Sequence, residues 1–263
     1  MKINPVKFQK VFTLRAKQIL QPEATGAPET SPATDSVELS KGPTGLDFQG
    51  AVTALATSAT LGGVPALAAL SQQVAQEITT PQEEVNAAAQ LAEQLDSLPK
   101  VEEPRVTHLW SEVAEVTATP FDAPRVVDSF FIDAQADARN MYIGTTPLQN
   151  EMSTDEVLAF TLAHEEGHRQ HRDTTGAAGL EALVALCEGD EKAYTFAFQA
   201  LAEGRKQNER EADEFAARAV KKMGYESGSI LEFLNALPGD LQHPPGEERA
   251  RAVEAAMLHR ETV

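Results

Sequence analysis

The chain has 263 residues, 42% of them hydrophobic, and a formal net charge of −18. That length accommodates one sizeable domain with appendages, or two small domains. The acidity excludes nucleic acid as a main partner, because phosphates would be repelled. The one cysteine, Cys187, cannot form an intramolecular disulfide and reads as a small buried hydrophobe.

Charge is unevenly spread. Residues 1–20 carry Lys2, Lys7, Lys10, Arg15 and Lys17 and no acid, so they contribute +5 and the remainder −23. Val6, Phe8, Val11, Phe12, Leu14, Ile19 and Leu20 fall loosely at helical intervals between these cations. This reads as a short helix packed on the main body; the alternative is a basic segment that docks on a protein or a membrane surface. The same stretch lacks the uninterrupted apolar core of a signal peptide, which makes the cytoplasm the expected compartment, with membrane association left open. Residues 21–46 are rich in Pro, Thr, Ala, Ser and Glu without periodicity and read as a flexible linker, so the folded part begins near residue 47. Residues 50–74, "GAVTALATSATLGGVPALAALSQQV", carry no charge and are about long enough to span a bilayer. Gly62, Gly63 and Pro65 interrupt the run, which favours a broken helix pair over a spanning helix.

Thr80-Pro81-Gln82-Glu83 has the form of a capping box opening a helix to about Leu98. The texture then changes. "RVTHLWSEVAEVTATP" and "PRVVDSFFIDAQADARNMYIGTT" hold short β-branched and aromatic runs between polar turns, predicting three or four strands between 105 and 146. Ser153-Thr154-Asp155-Glu156 reads as a second capping box leading into a helix. Further helices are expected over 176–187, 190–203, 205–222, 228–236 and 246–261. Helices, a small sheet, then helices make an α+β domain.

Residues 163–171 of that helix read "AHEEGHRQH". A helix advances about 1.5 Å and 100° per residue, so His164 and His168 share a face roughly 6 Å apart along the axis, where two imidazoles can converge on one ion. Glu165 is turned about 100° away and flanks such an ion, placed to take a proton from an attacking water. This H-E-x-x-H spacing is the zinc-hydrolase pattern. Gly167 costs about 1 kcal/mol relative to Ala in mid-helix; a close neighbour, such as a strand passing near the helix, would require it. His171 is about 10 Å along the axis from His164, which suits a supporting or surface role.

Two histidines leave zinc short of a protein ligand. Glu181, Glu188, Glu203, Glu209 and Glu211 are the downstream candidates, and "NEREADEFAARAV" (208–220) favours Glu209. Glu209 and Asp213 are four apart on one helical face, with Ala212, Ala216 and Ala217 allowing close packing. Glu209 would complete the ligand set. Asp213 would accept a hydrogen bond from the far nitrogen of a ligating histidine and fix its tautomer.

"LAHEEGH", "EREADEFA" and "HPPGEERARAV", with the strand stretch "VVDSFFIDAQADARNMYIGTTPL", resemble in order and spacing the HtpX-like and CAAX prenyl endopeptidase group of zinc metallopeptidases. The resemblance covers about residues 105–260. It implies a mostly helical zincin-like catalytic core over 105–263, which with the helical lead-in read at 47–104 makes a metallopeptidase domain of 47–263. Asp128-Ser129 departs from the Asn-Ala common in that family's first strand. The charges Glu181, Glu188, Asp190, Glu191 and Lys192 interrupt the region that spans the membrane in membrane members, so the chain looks like a soluble member.

The implied activity is zinc-dependent endopeptidase cleavage of protein or peptide substrates, with one zinc per chain on His164, His168 and Glu209. Glu165 serves as general base, and Asp213 supports a ligand. The substrate would add a strand to an exposed sheet edge, for which "NMYIGTT" is the candidate. His243 and Arg249, from the matching C-terminal segment, are candidates for steadying the oxyanion, as are Tyr194 and Tyr225. His243 is alternatively a latch over the open metal position. The competing reading is a non-catalytic, zinc-stabilised interaction or assembly module, against which Glu165 argues, because a purely structural site needs no base.

Overall fold

The computed structural model describes residues 95–129, 133–137, 139–173 and 191–259, with isolated positions 89, 92, 93, 181 and 184. The N-terminal segment, the linker, the uncharged run at 50–74, the capping box at 80–83, Cys187, Glu188 and most of the helix expected over 176–187 lie outside the described residues. Two compact units are distinguished, one comprising 1–78 with 178–201 and the other 79–177 with 202–263. Among the described residues no helix is long and apolar enough to cross a membrane.

The larger unit is α+β. Helix α1 (Pro104–Thr117) occupies about the first third of the region expected to form strands. Val106, Leu109, Trp110 and Val113 are its buried residues. Their spacing is helical, and it overrides the β-branched composition that suggested strand. Pro104 sits in the first turn, where its missing N–H costs nothing, and the Glu103 side chain accepts from Arg105 N at 3.3 Å.

Strands β1 (Arg125–Val127), β2 (Ala134–Ala136) and β3 (Met141–Gly144) form a sheet in the order β1-β3-β2. β1 pairs parallel and β2 antiparallel with β3. The expectation that "NMYIGTT" supplies an open edge is therefore wrong: β3 is the central strand, fully buried at all four residues. On the far side of β1, residues 99–101 bond to the strand through Val101 N to Val126 O (3.0 Å) and Asp128 N to Pro99 O (2.8 Å). β2 is the opposite edge.

After the short helix α2 (Thr145–Leu148), helix α3 (Asp155–His171) crosses the centre of the unit. Thr154 rather than Ser153 is its cap, accepting from Val157 N at 3.3 Å; the third helical residue is then Val157, which has no side-chain acceptor, so the expected capping box reduces to a single cap. The carbonyl of Ser153 instead takes the Arg105 guanidinium at 2.6 Å. Helix α4 (Glu191–Lys222), of which residues 202–222 belong to this unit, is continuous where two helices were expected, because one internal glycine, Gly204, costs only about 1 kcal/mol and does not break a packed helix. Helices α5 (Gly228–Ala236) and α6 (Gly246–Leu258) complete the unit.

α3 packs on α1, β2 and α5, and its apolar residues Val157, Leu158, Phe160 and Leu162 enter one core with Ile143, Ala216, Val220, Ile230, Leu234 and Val253. Part of the polar stretch after Ala163 is buried too. Glu166 and Arg169 are both essentially inaccessible; Arg169 Nε lies 2.8 Å from Glu166 Oε2, and Gln170 Nε2 lies 2.9 Å from Oε1. The guanidinium stacks over Phe121 (4.3 Å) and Trp110 (5.1 Å). Two charges thus enter the core as one neutral, hydrogen-bonded unit.

Candidate metal centre and active site

Gly167 fixes the approach of α3 to α4. A Cβ at this position would stand 3.0 Å from Ala212 Cα and 3.4 Å from the Cβ atoms of Ala212 and Phe215. The close neighbour that the glycine implies is a helix rather than a strand. Gly167→Ala must push the helices apart by a few tenths of an ångström. It is expected to cost about 1–3 kcal/mol as overpacking, less roughly 1 kcal/mol regained in helix propensity. Chemical unfolding would measure this, and an unchanged or raised midpoint would show that the contact yields freely.

That close approach lays Glu209 and Asp213 of α4 against the two histidines of α3. His164 Nε2 and His168 Nε2 are 3.0 Å apart. Glu209 Oε2 is 3.4 Å from the first and Oε1 is 3.3 Å from the second. Two ligand atoms each about 2.0–2.1 Å from a tetrahedral zinc stand roughly 3.3 Å apart, close to the separation of the two rings and of each ring from its nearer Glu209 oxygen, and one ligand atom from each of the three residues lies within 4.8 Å of the others. Among the described residues these three form the one group of its kind able to hold a metal ion. The donor set, two imidazoles and a carboxylate, is that of catalytic zinc.

Electrostatics follow from the same contacts. Burial disfavours a charged ring at His168, but bonds to Asp173 and Glu209 outweigh it and push the pKa up to about 10. His164 is also raised, its burial outweighed by Asp213 and Glu209. Burial would raise Glu209, yet the two imidazoles hold it well below the usual carboxylate range. A cation entering here would displace protons from the imidazoles and take over their pairing with Glu209.

The remaining candidates gather around this cluster. Glu165 follows His164 on α3, half-buried, and its charge helps to raise His168 and Arg249. Asp213 Oδ1 is 3.0 Å from His164 Nδ1, although off the line of the ring N–H. Both Asp213 oxygens are held by Arg249 of α6, through Nε at 2.8 Å and Nη2 at 2.7 Å. Arg249 Nη1 also faces Glu209 Oε2 at 3.4 Å. His243, in the loop before α6, points Nε2 at Glu209 Oε1, 3.8 Å away, and remains half-exposed.

Other candidates are engaged elsewhere. Glu203 pairs with Lys206 and Glu211 accepts from Gln207. The Tyr225 hydroxyl lies 3.3 Å from Glu112; burial and then that acid raise it to about 12. Tyr194, in the smaller unit, stacks on Phe198. His171 is exposed, edge-on to Phe215, and Asp128 accepts the Thr145 hydroxyl at 3.2 Å.

Two aspartates escaped the sequence reading. Asp173 Oδ2 is 2.8 Å from His168 Nδ1. Asp240 Oδ1 accepts from the backbone N of Gln242 (2.7 Å) and His243 (2.8 Å) and lies 3.0 Å from His243 Nδ1. Asp240 had a local signal, an acid three residues before a histidine in a Pro-flanked loop. Asp173 had none.

No curated protein and no solved structure matches the chain. The model of peptidase family M48 matches residues 101–257, a span that begins just before α1, ends within α6 and contains the whole cluster. In keeping with its resemblance to the HtpX-like and CAAX prenyl endopeptidases, the chain belongs to peptidase family M48 and is a metallopeptidase.

Proposed function

We propose that this chain is a zinc-dependent endopeptidase in which His164, His168 and Glu209 hold one zinc ion and Glu165 is the general base. The observation that carries the reading is the set of 3.0–3.4 Å separations among the three donor groups, brought from two helices to one point. Zinc, when bound, supplies a Lewis acid that lowers the pKa of water toward about 7 and polarises the scissile carbonyl.

The chain's own residues do the rest. Glu165 takes a proton from the attacking water and delivers it to the leaving amine as the C–N bond breaks. Asp213 steadies His164, and Arg249 acts through Asp213 and Glu209, to which its guanidinium is committed. His243 approaches from the exposed side, where it either steadies the oxyanion or rests as a latch that substrate displaces. The peptide substrate pairs with the β2 edge, since β3 is internal and β1 is already flanked by residues 99–101.

Zinc per chain, measured by elemental analysis of wild type and Glu209→Ala, tests this assignment. About one zinc in wild type and far less in the variant is the expected result for a three-ligand site. Wild type that holds no zinc after metal-replete purification would sink the reading.

A further inference from the structure

The geometry points to Asp173 as a positioning residue for His168, braced on the ring from behind so that Nε2 faces the metal centre. This rests on the zinc-site reading above and extends it to a residue beyond the family's motifs identified in the sequence.

The contact is well formed. Asp173 Oδ2 stands 2.8 Å from His168 Nδ1, and both side chains are largely buried, at 12% and 15% exposure. An Nδ1–H donated to this carboxylate leaves the lone pair of the neutral ring on Nε2. That is the atom 3.0 Å from His164 Nε2 and 3.3 Å from Glu209 Oε1. A carboxylate behind a ligating imidazole selects the tautomer, fixes the ring plane and raises the ligand's basicity.

The two histidines are braced differently. Asp213 lies 3.0 Å from His164 Nδ1 but off the ring N–H direction, and its oxygens are shared with Arg249. Asp173 makes the shorter and better-aligned contact.

Backbone conformation makes this possible. On a continuing helix, residue i+5 lies about 140° around the axis from residue i and cannot face its ring. Helix α3 ends at His171, and Arg172 adopts φ 60°, a left-handed turn that folds Asp173 back over the final turn. The left-handed residue is an arginine, for which this conformation is uncommon. The termination that ends the helix also delivers the carboxylate.

The test compares wild type, Asp173→Asn and Asp173→Ala as full-length chains, reading zinc affinity by competition with a chromogenic chelator and ligand geometry from cobalt(II) absorption. Asp173→Ala is expected to bind one zinc about 10–100-fold more weakly, with a shifted cobalt spectrum. Asp173→Asn, whose amide oxygen still accepts from Nδ1–H, should lose measurably less. A purely structural tether would lower the unfolding temperature of Asp173→Ala and leave its competition constant and cobalt spectrum at wild-type values, which overturns the proposal. If the alanine variant does not fold, Asp173→Leu, which fills the space without an acceptor, is read in its place, and a wild-type constant and spectrum there overturns the proposal equally. Wild type that binds no zinc refutes the metal-site reading itself, a result distinct from an unmoved constant in the variants.

Discussion

Glu165→Gln is expected to lower peptide cleavage by about 10²–10⁴-fold with zinc content unchanged. The substitution keeps the shape of the side chain and its hydrogen-bonding reach, but an amide cannot take the proton of the attacking water or return it to the leaving nitrogen. His164, His168 and Glu209 are untouched, so metal retention is the internal control. Glu165 is half-buried and acts electrostatically on both His168 and Arg249, placing its charge beside the cluster rather than in bulk solvent. Turnover of a peptide library and zinc content, measured on the same preparation, separate the outcomes. Cleavage at the wild-type rate would remove Glu165 from the mechanism, whereas lost cleavage with lost zinc would make it a structural support of the site.

Arg249→Ala is expected to be among the most destabilising single changes in the described fold, costing about 3–5 kcal/mol. Asp213 is 1% exposed and holds two bonds from the guanidinium, so the variant leaves a buried carboxylate facing only His164. Arg249→Lys should recover little, because an ammonium cannot reproduce the two-pronged geometry. The pH dependence has a definite sign. Burial opposes charge on Asp213, but His164 and Arg249 outweigh it and hold its pKa below the ordinary 3.8. A lowered carboxyl contributes stability that is present above about pH 4 and lost as pH falls through the folded value. Unfolding curves of wild type and Arg249→Ala should therefore differ most near neutrality and converge in strong acid. Equal stabilities at pH 7 would show that the pair contributes nothing net.

The site was far more legible in the sequence than the elements around it. H-E-x-x-H and E-x-x-x-D are local patterns: helix geometry alone puts His164 beside His168, and Glu209 beside Asp213, whatever the rest of the chain does. The misreadings fell where local and tertiary signals compete. The segment 104–117 is rich in β-branched residues yet helical, because burying Val106, Leu109, Trp110 and Val113 on one side outweighs strand propensity. Glu166 and Arg169 carried no assignment from the sequence, and their burial is tolerable only through their mutual pairing under Trp110 and Phe121. β3 read as an edge because a strand's own residues do not reveal how many neighbours it has.

By itself the sequence pointed to the residues proposed for the two halves of the metal centre, and to the α+β class and the family. The first is written in spacings of four residues along single helices, the other two in the order of motifs and elements along the chain. Tertiary structure alone decided that a helix rather than a strand presses on Gly167, that β2 is the edge opposite β1, that Arg249 clamps Asp213, and that a left-handed turn at Arg172 returns Asp173 to His168. The reason is physical. Periodicity fixes which way a side chain points from its own axis, but which group meets it there depends on the packing of distant segments and on single backbone dihedrals that leave no periodic trace.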